Sequence, residues 1–296
     1  MRADVRTFWS RPRAKAMTLV HVALAVASLG IAAGLPAAAL NLAPAPAERA
    51  PSPDRTDLAL VLLVDMSGSI WKEERRFQRQ TYIDVLSSPD IISALTSGHH
   101  GRSDVAYVEW SDTRNFHVIA PLTPVTDRQD MTRITGAIAH RAANDPDQKG
   151  ATALGTALER AGQMLLSHDA FASRLVIDIS ADGRANEGAN ADRVADDLAW
   201  HGITINGLPL IYLEPDDPDK DLMAYFETCV IRGPGHFMIP VRNRADLEAS
   251  LRRKLLREIA GAPGAHQPAR IQRASGPGET TSCAITDSPG TSRGSP

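Results

Sequence analysis

Residues 58–69, Leu-Ala-Leu-Val-Leu-Leu-Val-Asp-Met-Ser-Gly-Ser, decide how this chain is read. The apolar residues Leu58 through Val64 run without polar alternation into Asp65, Ser67 and Ser69. An apolar run that short, rich in Leu and Val, predicts a strand covered on both faces, as in the middle of a parallel sheet. At its carboxyl end the chain must turn, and in open α/β sheets ligands bind along that edge. One carboxylate and two hydroxyls, spaced two apart on a turning backbone, converge on a point. Oxygen donors of this kind suit a hard cation such as Mg²⁺.

Downstream, apolar residues at helical spacing predict helices over 72–87, 131–141, 151–166, 191–200, 221–226 and 245–260. Buried-strand patterns occur at 104–110, 116–120, 174–180, 203–211 and 237–241, the first two forming a hairpin. Pro89 and the glycines at 98 and 101 mark loops. Strands alternating with helices predict one α/β domain over 57–260, a doubly wound, mostly parallel central sheet flanked by helices. Two further strand-end loops carry oxygen donors: Thr152 follows Gly150 at the start of a helix, and Asp182 precedes Gly183 at the end of a buried strand. Groups distant in sequence meet at the shared edge of a parallel sheet.

The ends read differently. Residues 1–15 carry Arg2, Arg6, Arg11, Arg13 and Lys15 against Asp4, and residues 16–47 hold no Asp, Glu, Lys or Arg. That is the pattern of an export signal, with Ala37-Ala38-Ala39 and Ala45-Pro46-Ala47 offering cleavage sites. Uncleaved, the uncharged run is long enough to span a bilayer. Residues 1–40 are therefore a signal peptide or an N-terminal membrane anchor, and 41–56 an Ala/Pro-rich linker. The protein is expected in the periplasm or secreted, with any membrane attachment made by that segment alone. Residues 261–296, rich in Gly, Pro, Ser and Thr, read as a disordered tail. Cys229 and Cys283 lie too far apart for a local metal motif; they either pair or stay as thiols.

A net charge of −3, with no Lys/Arg block in the body of the chain, argues against nucleic acid as a partner. Among single residues, Asp178 inside an apolar strand needs a partner and reads as a satisfied core group. Trp71 and Trp110 are expected in the core, His99 and His100 in a solvated loop. Asn186 and Asn190 are expected to build a loop and cap the next helix.

Asp65, Ser67, Ser69, Thr152 and Asp182, taken in order, resemble the metal-ion-dependent adhesion site of the von Willebrand factor A family, D-x-S-x-S followed by a later Thr and a strand-end Asp. The resemblance implies a Rossmann-like fold and a divalent cation, Mg²⁺ or alternatively Mn²⁺ or Ca²⁺. It also implies that Ser67 and Ser69 coordinate directly, and Thr152 does so in the ligand-bound state. Asp65 and Asp182 would then act largely through water or as acceptors behind the direct ligands. The chain looks closer still to a bacterial domain-of-unknown-function subgroup of exported proteins. That likeness rests on Val108-Glu109-Trp110-Ser111, Val176-Ile177-Asp178-Ile179-Ser180, Ile203-Thr204-Ile205-Asn206-Gly207-Leu208, Val230-Ile231-Arg232-Gly233-Pro234-Gly235 and Arg253-Lys254-Leu255-Leu256-Arg257-Glu258-Ile259.

The function expected is a non-catalytic module that binds a cation and, through it, an Asp or Glu of a protein partner. One alternative is a metal-dependent hydrolase. However, Ser67 stands where an aspartyl-phosphate enzyme needs its second Asp, and no G-x-S-x-G elbow, P-loop or G-x-G-x-x-G occurs. The other is a structural envelope protein with a vestigial site.

Overall fold

The computed structural model describes residues 55–145, 150–213, 222–261 and 282–285. The expected signal or anchor (1–40), the linker up to residue 54, and tail residues 262–281 and 286–296 lie outside them. In chain order the strands are β1 (Arg55–Thr56), β2 (Leu58–Asp65), β3 (Ser103–Trp110), β4 (Phe116–Val125), β5 (Phe171–Ala172), β6 (Leu175–Ala181) and β7 (Ile203–Pro209). The helices are α1 (Lys72–Leu86), α2 (Pro89–Thr96), α3 (Arg128–Ala143), α4 (Leu154–Leu166), α5 (Ala191–Trp200), α6 (Leu222–Tyr225) and α7 (Leu247–Ala260).

The main sheet has five strands in the order β4-β3-β2-β6-β7, parallel except for β4. β2 is its centre, so both its faces are covered, which is why its sequence lacks alternation. Ala59, Val61 and Leu63 face the core built with α4 and α5; Leu58, Leu60, Leu62 and Val64 face the one built with α1, α2, α3 and α7. Helices on both faces make the sheet doubly wound, as expected. Register aligns the site ends: Val64 pairs Ser180, and Asp65 pairs Trp110.

Several local expectations change. Pro89, expected in a loop, opens α2, where its missing N–H and fixed φ suit the first helical position. Residues 237–241, expected as a strand, run along β7 but form only isolated bridges, Gly207 to Met238 and Leu210 to Val241. Pro209 and Pro240 supply no N–H there, so a continuous ladder cannot form. The helix expected from 151 starts at Leu154, and α6 is a single turn continuing as a π-helical turn, Phe226–Val230. Trp110 is buried as expected, whereas Trp71 is 64% exposed.

Asp178 finds its partner: Lys254 of α7, fully buried, reaches both Asp178 and Glu258. Burial, and then the Asp178 charge, push Glu258 up to about 8. Cys229 and Cys283 form a disulfide, with Cα atoms 5.6 Å apart. Among the described residues no helix is long and apolar enough to cross a membrane.

Candidate metal centre

Three loops meet at the carboxyl edge of the sheet. β2 delivers Asp65, whose Oδ1 accepts the Ser67 amide at 2.7 Å, the local turn that an Asp followed two residues later by a free N–H tends to make. The Ser67 and Ser69 hydroxyls lie 3.2 Å apart. Ser69 Oγ then donates to Asp182 Oδ1, at the end of β6, across 3.1 Å. Side-chain bonds therefore join Asp65, Ser67, Ser69 and Asp182 into one cluster.

Thr152 is brought in by backbone instead. The Gly68 amide donates to the Gly150 carbonyl at 3.0 Å, stitching the first loop to the second. The Thr152 amide donates to Asn186 Oδ1 at 2.7 Å, and the Asn186 amide returns to the Thr152 carbonyl at 3.0 Å. Among the described residues the Thr152 hydroxyl makes no hydrogen bond of its own. The reciprocal pair makes Asn186 the brace between the second and third loops, a role its place after Asp182-Gly183-Arg184 suggests only as loop-building. Gly155 seats α4 against the far end of the third loop: a Cβ there would sit 2.0 Å from the Ala189 carbonyl oxygen. Beside it, Thr156 Oγ1 accepts the Ala189 amide at 3.0 Å.

The electrostatics disfavour a second negative charge at this junction. Asp65 is fully buried, and among the described residues its Oδ2 has no hydrogen-bond partner within ordinary geometry. Burial raises its pKa well above the ordinary carboxylate value, and the Asp182 charge raises it further, against the pull of the Ser67 amide and hydroxyl and of the Asp182 amide. Two carboxylates held together at a dry loop junction repel unless a proton or a cation lies between them. Ser69 is exposed, so the cluster opens to solvent on that side. Helix capping does not explain the first loop: Trp71 holds the N-cap position of α1, with no side-chain cap bond. Asn190 likewise sits at the N-cap of α5 without capping it.

Behind the loops runs a buried ion network that sequence reading missed. Arg79, fully buried, binds Glu109 of β3 through a fork at 2.6 and 2.9 Å and reaches Asp145 at 2.7 Å. Arg75 donates to Asp145 at 3.1 Å and to the Ile70 carbonyl, just past the first loop, at 2.7 Å. Arg141 adds a bond to Glu109 at 2.9 Å. The signal available was Glu109 in an apolar strand and two arginines four apart on a helix face that otherwise points inward.

Residues 55–263 match the family model described as "Protein of unknown function (DUF1194)", and the chain belongs to that family. No curated protein matches it. In fold it is similar to the pilus adhesin SpaC from Lactobacillus rhamnosus GG, at 15% identity and a TM-score of 0.52, over 69% of this chain and 30% of that one. It is similar also to the PilB minor pilin from Streptococcus sanguinis, at 13% identity and a TM-score of 0.51, over 72% and 65%. A von Willebrand factor type A structure from Catenulispora acidiphila aligns at 18% identity and a TM-score of 0.49, over 69% and 43%. The chain thus spans less than two thirds of each of these structures.

Proposed function

We propose that this member of the family binds a divalent cation at Asp65, Ser67, Ser69, Thr152 and Asp182 and, through it, an acidic side chain of a protein partner. One observation carries the reading: the buried Asp65 carboxylate, one oxygen without a hydrogen-bond partner among the described residues, lies beside the charge of Asp182 and two hydroxyls. The donor set fits Mg²⁺ or Mn²⁺, since two carboxylates balance the ion's charge while neutral hydroxyls leave it electron-poor toward an incoming carboxylate. Asp65 and Asp182 would hold the ion's field, Ser67 and Ser69 would ligate it, and Thr152 would complete the set when the partner arrives. The bound ion would supply Lewis acidity toward the partner's carboxylate and nothing covalent.

The role proposed is non-catalytic, and Ser67, standing where an aspartyl-phosphate enzyme needs its acid/base, supports it. Pilus adhesins and minor pilins among the fold neighbours support a protein-binding role outside the cytoplasm. The Cys229–Cys283 bond supports export as well, since structural disulfides persist in oxidising compartments. Isothermal titration with Mn²⁺, on the wild type and on Asp65→Ala, tests the reading. Heats of binding from the wild type alone are expected; equal heats from both remove the ion from the account.

A further inference from the structure

We propose that the segment around Cys283 is a covalent strap that positions the third loop, and through it Asp182 and Thr152; the proposal rests on the cation reading above. Residues 282–285 have no helix or strand to hold them. Their anchor is the bond from Cys283 to Cys229, which is fully buried in the core shared with α4 and α5. Beside that bond the Ser282 carbonyl accepts a hydrogen bond from the Arg184 guanidinium. The same guanidinium lies over the Tyr225 ring, 5.0 Å from its centroid. Tyr225, at the end of α6, accepts the Ala185 amide at its hydroxyl at 3.3 Å.

Residues 184 and 185 are therefore gripped from two sides, by the strap and by α6. They occupy the middle of the third loop, two positions after Asp182 and one before Asn186. Asp182 takes the Ser69 hydroxyl, and Asn186 exchanges two bonds with the Thr152 backbone. The path from the disulfide to the cluster is thus continuous: Cys283, Ser282, Arg184, then the loop that carries both contacts. A hydrogen bond to an exposed carbonyl is by itself too weak to fix a chain segment in place, because the entropy of the segment opposes it. The covalent bond removes most of that freedom in advance, so the Ser282 carbonyl is present where Arg184 needs it.

The test uses the full chain, with Mn²⁺ alone as the probe. Mn²⁺ affinity and amide hydrogen exchange over residues 182–186 are measured for the wild type, Cys283→Ser, Arg184→Ala and the double variant. Each single change is expected to weaken Mn²⁺ binding roughly tenfold, as loss of support behind metal ligands does. Exchange over the loop is expected to quicken in both, and the double variant to fall no further than the weaker single. A purely structural disulfide predicts otherwise: Cys283→Ser lowers the melting temperature but leaves Mn²⁺ affinity and loop exchange at wild-type values, which overturns the strap. A wild type that takes no Mn²⁺ removes the cation reading alone; loop exchange in Cys283→Ser then decides the strap by itself.

Discussion

Ser69 Oγ and Asp182 Oδ1 lie 3.1 Å apart across 113 positions of sequence, so the carboxyl ends of β2 and β6 are joined by side chains as well as by the sheet. The bond places the Ser69 hydroxyl on Asp182, whose charge acts on the buried Asp65. From it follows the first expectation. Asp65→Asn replaces the buried ionisable carboxyl with a neutral amide of the same shape. In EDTA at pH 7 this variant is expected to be more stable than the wild type, because the Asp65 charge is disfavoured by burial and by Asp182. With Mg²⁺ at a hundredfold excess over its Kd the balance moves toward the wild type, which gains about 2.7 kcal/mol while the variant gains nothing. Urea unfolding with and without the ion checks both signs, and a wild type less responsive to Mg²⁺ than the variant contradicts the pairing.

A pH dependence follows from the Asp178–Lys254–Glu258 cluster. Glu258 titrates near 8 when folded and near 4.5 as an unperturbed side chain. Between those values the folded state holds a proton that the unfolded chain has lost. Stability from this group is therefore complete below about pH 4.5 and falls as pH rises toward 8. Glu258→Gln, neutral throughout, is expected to flatten that decline between pH 5 and 8. The check is a series of urea midpoints across the range, and parallel slopes for the two proteins would count against the assignment.

Arg79 is expected to be intolerant of both Ala and Lys. Ala leaves Glu109 and Asp145 as buried carboxylates short of a partner, a loss on the order of 3–5 kcal/mol. Lys keeps the charge but lacks the planar fork that meets Glu109 at 2.6 and 2.9 Å, so it recovers only part of the loss. Chemical denaturation ranks the three; a lysine variant as stable as the wild type shows that the fork is dispensable.

Gly155→Ala probes the seating of α4. An added Cβ meets the Ala189 carbonyl oxygen at 2.0 Å, and backbone cannot yield as a flexible side chain would. The third loop is expected to shift away from Thr152, weakening Mn²⁺ binding with a stability loss of about 1–3 kcal/mol. Titration alongside thermal unfolding measures both, and unchanged affinity means that the loop tolerates the shift.

Much of this architecture was legible from residues because it depends on local pattern. Leu58–Val64 announced a doubly covered strand, and Asp65, Ser67 and Ser69 stood at its end, where ligands gather. What stayed hidden depends on partners far apart in the chain. Nothing near Arg79 identifies Glu109 or Asp145, and nothing near Lys254 marks Asp178. Asn186 looked like an ordinary loop residue because its work is done on Thr152, 34 positions back. Pro89 and residues 237–241 depart from their local pattern for a related reason. Proline is a breaker inside an element and a starter at its edge, and only the fold decides which position it holds.

The rims of the sheet bear on how these molecules behave in a crowd. β4, one outer strand, contains Pro121 and Pro124, which cannot donate to a newcomer. Along the other rim the backbone groups of Ile205, Gly207 and Pro209 are already engaged by Arg232, Phe237, Ile239 and Val241. Among the described residues neither side offers a clean row of free amides and carbonyls, so copies held close together are discouraged from zipping strand to strand.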